Sequence, residues 1–148
     1  KFIPQVLKFQ KRTWREASKG KSMPDATITE SIIFEGSSPT VLARVLGNDA
    51  AAIQQADYGD ITFEIFKNSS TTAIVTGTLT ISTTVFDSYQ TDARWSVDST
   101  GYNFRHSPAA TVFADGNASY RIEYKFAPTD EEPFWLVFLV TTVEVRSD

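Results

Sequence analysis

Apolar and polar positions alternate with a period of two over several stretches of the chain. The clearest case is residues 120–126, in which two tyrosines, an isoleucine and a phenylalanine alternate with charged residues. Residues 61–65 alternate in the same way. Successive side chains of a strand point to opposite faces, so both stretches are predicted to be strands with one face on a core.

Further runs rich in β-branched and aromatic residues lie between turn residues and predict additional strands. They cover residues 26–34, 40–46, 73–81 and 134–145. The first two runs flank the turn Glu35–Pro39 and predict a hairpin. Gly77 is a candidate β-bulge. The run 134–145 begins apolar on both faces, which predicts either a central strand or one that a partner covers.

One stretch, Asn48–Gln55, has an Asn-Asp start and three alanines and predicts a single short connecting helix. The six or seven strands are joined mostly by short turns. This spacing predicts an all-β, antiparallel sandwich with Greek-key connections, and a small barrel is the alternative.

The first 24 residues lack a regular period and form a predicted N-terminal arm, followed by a single β-sandwich domain over residues 25–148. Residues 1–22 carry seven basic residues and one acidic residue, a net charge of +6, while the rest of the chain has seven basic and 17 acidic residues, a net charge of −10. The arm also contains large apolar side chains. The residues expected to act in assembly are Phe2, Ile3, Leu7, Phe9, Lys11, Arg12, Trp14 and Arg15.

The basic, apolar arm has two interpretations. It folds back on its own domain as a short helix or edge strand, or it docks onto a neighbouring subunit. Opposite charges on arm and body favour contact between copies of the chain. Basic residues also neutralise phosphates, but the acidic body would repel a polyanion, so we do not expect a nucleic-acid partner.

Candidate catalytic groups are sparse. The chain has no cysteine and one histidine, His106, which we expect to lie in a loop and make local hydrogen bonds. No nucleophile-elbow, calcium-loop or phosphate-binding glycine motif is present. We therefore expect no enzymatic activity, no metal site and no cofactor. The longest apolar run, Phe134–Val140, is too short to span a bilayer, so we expect no membrane insertion.

Residues 84–106 mix aromatic side chains with amide, hydroxyl and carboxylate groups. Such a mixture is typical of sugar-binding sites and protein interfaces. The residues of this candidate ligand or interface loop are Trp95, Asp98, Tyr102, Asn103 and Arg105. The alternative is a long cross-over between sheets, in which Trp95, Tyr102 and Phe104 fill the core and Asp98 caps a turn.

Eight short strings together resemble a known domain type, namely 60–66, 75–81, 85–86, 90–92, 94–95, 98–104, 120–126 and 132–135. The likeness spans roughly residues 58–146. It is to the immunoglobulin-like domains of structural proteins from tailed bacteriophages and prophages, such as baseplate, tail and decoration proteins. The resemblance implies an immunoglobulin-like antiparallel sandwich and a non-enzymatic part of a larger particle, present in many copies.

The sequence therefore favours a virion structural or assembly protein, in a tail, baseplate or capsid decoration, whose partners are copies of itself and other particle proteins. The alternative is a carbohydrate-binding or adhesion module with a glycan as partner. Either role places the protein in a virion or outside the cell. The chain begins at Lys1 and its only methionine is Met23, so we expect that residues upstream of Lys1 were removed or lie outside the given sequence.

Overall fold

The computed structural model describes residues 6–10 and 28–146, including the backbone but not the side chains of residues 6–10 and 28. The described part is mostly β and forms two sheets in a sandwich-like arrangement. Its strands are β1 Val6–Gln10, β2 Ile28–Phe34, β3 Thr40–Arg44, β4 Tyr58–Lys67, β5 Ala73–Thr78, β6 Val85–Gln90, β7 Tyr102–His106, β8 Ser119–Pro128 and β9 Phe134–Val143.

The four-stranded sheet has the order β1-β3-β7-β6, and the five-stranded sheet has the order β2-β9-β8-β4-β5. Most neighbouring strands are antiparallel, as predicted. Two pairs are parallel instead, namely β1 with β3 and β2 with β9. Both parallel pairs place an N-terminal strand at the edge of its sheet, so the two sheets each gain an edge strand from the start of the chain.

The core lies between the two sheets and is built from the alternating residues that the sequence identified. On β8, Tyr120, Ile122, Tyr124 and Phe126 all point inward and are buried, and the charged residues between them point outward. The ring of Phe104 on β7 packs edge-on against Tyr124, with 5.1 Å between ring centroids. Burial of these large aromatic side chains supplies much of the apolar area that holds the sheets together.

The predicted hairpin over residues 26–46 is wrong. β2 pairs with β9 in the five-stranded sheet, whereas β3 pairs with β1 and β7 in the other. The turn between them carries the chain across the sandwich, and Gly36 adopts the positive φ of 69° that this turn requires. Short-range spacing shows that two strands exist but does not show which partner each one takes.

The predicted helix over Asn48–Gln55 is also wrong. This stretch is a loop, closed by a bridge between Leu46 and Ala52, and Ala50 has a φ of 65°. The Asp49 carboxylate accepts a hydrogen bond from the Ala51 backbone N–H at 3.0 Å. Aspartate side chains that bond to nearby backbone in this way compete with helix formation. The short helices lie elsewhere, with α1 at Ile81–Thr84 and 3-10 turns at Gln55–Asp57 and Ala110–Phe113.

Gly77 is not a bulge. The register irregularity between β4 and β5 lies at Ile65 and Phe66, and Gly77 stands directly opposite Phe63. A β-carbon at Gly77 would lie 2.6 Å from the Phe63 ring. The glycine is therefore needed because the Phe63 ring lies against the neighbouring strand.

Residues 84–106 do not cross between sheets as predicted. β6 and β7 are antiparallel neighbours in the four-stranded sheet, and residues 91–101 form the loop that joins them. The crossing occurs earlier, at α1, which leads from β5 to β6. None of the helices within the described ranges is long and apolar enough to cross a membrane.

Candidate interaction surface

A row of apolar side chains lies on the outer face of the five-stranded sheet, along β2 and β9. On β2, Ile32 and Phe34 flank the buried Ile33 and are 64% and 53% exposed. On β9, Trp135 is 54% exposed, and Val143 is also exposed. We call these four residues, together with the exposed Val145 that follows β9, the outer stripe.

The outer stripe follows from the alternation of β9. Phe134, Leu136, Phe138 and Val140 point into the core. The residues between them point outward. Of these outward residues, Val137 and Leu139 are half-buried, and those nearer the ends of the strand are exposed. Phe34 stands beside Val143 in the parallel register. The described elements form no further layer over this face, and contiguous exposed apolar side chains of this kind mark interaction sites.

Charged side chains of both signs lie next to the outer stripe on β8. Arg121 donates from Nε to Glu123 at 2.6 Å, and its guanidinium lies 4.5 Å from the centre of the Phe66 ring. The Lys125 ammonium lies 5.7 Å from the centre of the Trp135 ring. The outer face can therefore offer apolar contact along β2 and β9 and charged groups of either sign along the neighbouring central strand β8.

The loop between β6 and β7 is fixed by two aspartates. Asp98 Oδ1 accepts hydrogen bonds from the Arg44 guanidinium, from Trp95 Nε1 at 3.1 Å and from the Thr100 backbone N–H at 2.9 Å. The bond from Arg44, followed by that from Trp95, holds the pKa of the Asp98 carboxyl well below its usual range. The predicted turn-capping role of Asp98 matches this geometry.

Asp92 holds the other side of the same loop. It pairs with Arg94 at 2.8 Å and accepts a hydrogen bond from the Tyr102 hydroxyl at 2.6 Å. These bonds, the one from Arg94 first, hold the pKa of the Asp92 carboxyl well below its usual range. The carboxylates of Asp92 and Asp98 are thus both hydrogen-bonded to neighbouring residues and hold the loop in place.

The residues predicted to bind a ligand in this loop are mostly buried, in a small cluster separate from the main core between the sheets. Trp95 is 6% exposed and packs with Leu42 and Tyr102 in a small apolar cluster. The Asn103 amide bonds to the backbone N–H and C=O of Val45, at 2.7 and 2.9 Å. The structure brings Trp95, Asp98 and Tyr102 together, but it buries the ring on which a sugar would have to stack.

Arg105 borders that group through Phe86. Its guanidinium is 5.2 Å from the centre of the Phe86 ring, on the next strand of the sheet, and the Phe86 ring lies edge-on to Tyr102 with 6.1 Å between centroids. A cation over an aromatic face is a stabilising arrangement in its own right. Because Trp95, Tyr102 and Asn103 are buried, the five predicted residues do not form one open site.

The arm residues fall largely outside the described part of the chain. Leu7 and Phe9 belong to β1, whose backbone pairs with β3 of the same chain as an edge strand. The side chains of these two residues, and the whole of Phe2, Ile3, Lys11, Arg12, Trp14 and Arg15, lie outside the described residues. Five residues of the predicted arm thus have an assigned place in the four-stranded sheet.

His106 is the last residue of β7 and not a loop residue as predicted. Its Nδ1 lies 2.9 Å from the Tyr124 hydroxyl, and burial lowers its pKa to about 4. It is therefore neutral near pH 7. In residues 6–10 and 28–146, no three or more His, Cys, Asp and Glu side chains are placed to share a metal ion.

The sequence did not single out the outer stripe, although two signals for it were present. Three consecutive apolar residues at 32–34 require at least one of them to point outward from a strand. The run 134–145 begins apolar on both faces, which predicted either a central strand or a strand that a partner covers. A scan of known protein families and searches of curated proteins and of solved structures found no match to this chain.

Proposed function

We propose that this chain is a non-enzymatic structural protein that assembles with neighbouring subunits through the outer stripe. The observation that carries the proposal is the exposure of Ile32, Phe34 and Trp135 on one sheet face. Large apolar side chains that are exposed to water would be stabilised if a partner buried them, by about 25 cal/mol for each Å² of apolar surface covered.

A second copy of the chain is the occupant that the outer face fits best. A two-fold interface places the same patch on both subunits, so each patch must complement itself. The outer stripe supplies apolar surface to both sides. Arg121, Glu123 and Lys125 border it with both signs of charge, so charges on one copy find opposite charges on the other.

We further propose an immunoglobulin-like topology. The strand orders support it, since β3, β7 and β6 occupy the places of strands B, E and D, and β4, β8 and β9 those of C, F and G. The position of β5 beside β4 corresponds to the additional strand of variable-type domains. The parallel pairing of β1 with β3 departs from a purely antiparallel sandwich.

The particle that we propose for this protein is a virion, with the chain in a tail, baseplate or capsid decoration. The resemblance of residues 58–146 to phage structural domains supports this setting, and so does a surface suited to repeated self-contact. The rival carbohydrate-binding role needs an exposed aromatic platform in the β6–β7 loop. Trp95 is buried there, so we favour assembly.

The test is the solution mass of the double variant Phe34→Ser, Trp135→Ser, measured by sedimentation equilibrium. We expect the association constant to fall at least about tenfold, because a few large side chains, aromatic ones above all, carry most of the energy of an interface. The fold should be retained, since both side chains are exposed. Ile74→Ser is the matched control: Ile74 is an exposed apolar residue on β5, at the opposite edge of the same sheet.

A wild-type chain that stays monomeric at high concentration would contradict the proposal, as would a double variant that associates as strongly as the Ile74→Ser control. Deleting residues 1–22 is a less clean test. That deletion removes β1 and exposes the edge of β3. A change in mass would then reflect either the loss of a contact made by the arm or the exposure of the β3 edge.

A further inference from the structure

Two side chains of opposite charge stand on either side of β9 on the outer face of the five-stranded sheet. Glu30 on β2 is paired in register with Leu139, and Arg121 on β8 is paired with the same Leu139. Neighbouring strands lie about 4.8 Å apart, so Glu30 and Arg121 flank Leu139 at similar distances. At this level of the sheet, β9 therefore has an acidic neighbour on one side and a basic neighbour on the other.

Both side chains point away from the core. Glu30 is exposed and lies on the same side of β2 as Ile32, because the two are two positions apart. On β8, Arg121 lies between the buried Tyr120 and Ile122. No ion pair among the described residues includes Glu30. Its carboxylate is therefore accessible to a cation from another molecule.

Arg121 has donors to spare for a second carboxylate. Its Nε donates to Glu123, and its guanidinium lies over the Phe66 ring. A guanidinium carries five N–H donors in a fixed fork. In the described part of the chain, its two terminal amino groups make no hydrogen bond, so the guanidinium can bind Glu123 through Nε and another carboxylate through these groups.

The outward residues of β9 form an apolar row between these two charges. Trp135, Val137, Leu139 and Val143 are apolar, and Thr141 alone interrupts them. Two copies that meet through this face bury the most apolar surface when β9 of one lies over β9 of the other. The two-fold axis of such a face-to-face pair lies in the plane of the interface. It runs either along β9 or at right angles to β9.

The charges distinguish these two orientations. An axis along β9 exchanges the two sides of the strand, so β2 of one copy lies over β8 of the other and Glu30 faces Arg121. The symmetry makes this contact twice. Full overlap of the row 135–143 about an axis at right angles requires the axis to pass at Leu139, the middle of the row. That axis places Glu30 over Glu30 and Arg121 over Arg121, and like charges in contact oppose association.

We propose that two copies of the chain associate with their two-fold axis along β9, and that Glu30 of one copy paired with Arg121 of the other fixes this orientation. The orientation rests on the self-association proposed above for the outer stripe. It keeps the strands of the two sheets nearly aligned, as in other face-to-face sheet packings. β4 and β5 extend past the edge strand β2 of the other copy, so Glu64 on β4 stays outside the contact.

Complementary charge reversals test this pairing. Glu30→Lys brings two positive charges together at both contacts, and Arg121→Glu brings two negative charges together. We expect each variant alone to lose about tenfold in its association constant by sedimentation equilibrium. An equimolar mixture of the two variants restores opposite charges at both contacts and should associate about as strongly as the wild-type chain.

The matched control is Glu64→Lys, which reverses an exposed carboxylate on the same sheet face. Glu64 lies on β4, two strands from β9, so its reversal should leave the association constant unchanged within about two-fold. Mixing Glu64→Lys with Arg121→Glu should not restore association. Recovery in that mixture would show a general effect of net charge and would overturn the specific pairing.

Glu30→Gln distinguishes the two orientations without reversing a charge. With the axis along β9 the variant loses an attraction, and the association constant should fall about three-fold. With the axis at right angles it loses a repulsion, and association should strengthen. Glu30 is exposed, so the fold should be retained. This variant tests the orientation independently of Arg121→Glu, which also removes the bond to Glu123.

The results separate the orientation from self-association itself. A wild-type chain that stays monomeric contradicts the proposed function. If the wild-type chain associates and Phe34→Ser, Trp135→Ser weakens it, but Glu30→Lys and Arg121→Glu do not complement each other, the orientation alone is wrong. Stronger association of Glu30→Gln than of the wild-type chain also overturns the orientation and leaves the proposed function standing.

Discussion

His106 shows how burial alone changes the chemistry of one residue. Its ring lies between the Phe63 ring, 4.8 Å away by centroid, and the Tyr124 hydroxyl, 2.9 Å from Nδ1. Burial disfavours the charged form of each group. It lowers the pKa of the His106 imidazole from 6.5 to about 4 and raises the pKa of the Tyr124 hydroxyl. Neither group is charged near neutral pH, so both serve the packing of the core.

This low pKa predicts a loss of stability in mild acid. Between pH 6.5 and about 4 the unfolded chain takes up a proton at His106 and the folded chain does not, so stability falls as the pH falls through that window. The difference between 6.5 and about 4 corresponds to about 3 kcal/mol. Denaturant unfolding between pH 7 and pH 4 should show this dependence in the wild-type chain and a flatter one in His106→Gln. An imidazole that titrates near pH 6.5 by NMR would contradict the prediction.

The loop between β6 and β7 depends on one backbone position. Gly101 has a φ of 104°, and a β-carbon there would lie 2.2 Å from the Gln90 carbonyl oxygen. Its own carbonyl oxygen accepts a hydrogen bond from Arg44 Nε at 2.8 Å. Any side chain would thus strain the backbone and push apart the strands that the loop joins.

Gly101→Ala is therefore expected to lower the free energy of unfolding by about 3 kcal/mol, from backbone strain and overpacking together. Gly59→Ala is the control, since no atom lies within 4 Å of a β-carbon there, and its cost should stay below about 1 kcal/mol. Chemical denaturation of both variants measures the difference. Equal stabilities would show that the loop relaxes around the new methyl group.

The strands themselves could be read from the sequence where one face is buried and the other is solvated. β8 was predicted in this way almost to its ends, because each inward position carries a large apolar residue and each outward position between them a charge. The partners of the strands could not be predicted. β2 and β3 are close in sequence and each has a plausible pattern, but alternation carries no information about which sheet a strand joins.

The candidate sites depend even more on long-range placement. The outer stripe combines residues 32–34 with residues 135–145, which are about a hundred positions apart in the sequence and become neighbours only through the pairing of β2 with β9. Each half on its own is an apolar strand of ordinary composition. The loop at 48–55 was mistaken for a helix because the Asn-Asp pair was interpreted as a helix start before three alanines, whereas the Asp49 carboxylate bonds locally to the Ala51 backbone.

The whole molecule places its proposed contact surface on one face of one sheet. The outer stripe lies on the outer face of the five-stranded sheet, along the edge strand β2 and its neighbour β9. Charge is unevenly distributed along the sequence, with a basic start and an acidic remainder. A single self-complementary patch of this kind favours closed two-fold pairs of chains.

The parallel pairing of β2 with β9 also determines how the sandwich responds to tension. A force that pulls Glu30 and Val143 apart acts along both strands in opposite directions, so it loads all the hydrogen bonds between them at once. A force between Gly59 and Thr78 acts at the open end of the β4–β5 hairpin and breaks its bonds one after another. Because the chain has no cysteine, cysteines introduced at these pairs give unique handles for single-molecule pulling. The Glu30–Val143 pair should rupture at the higher force, which would make this sandwich a tension-resistant link along the axis of β9.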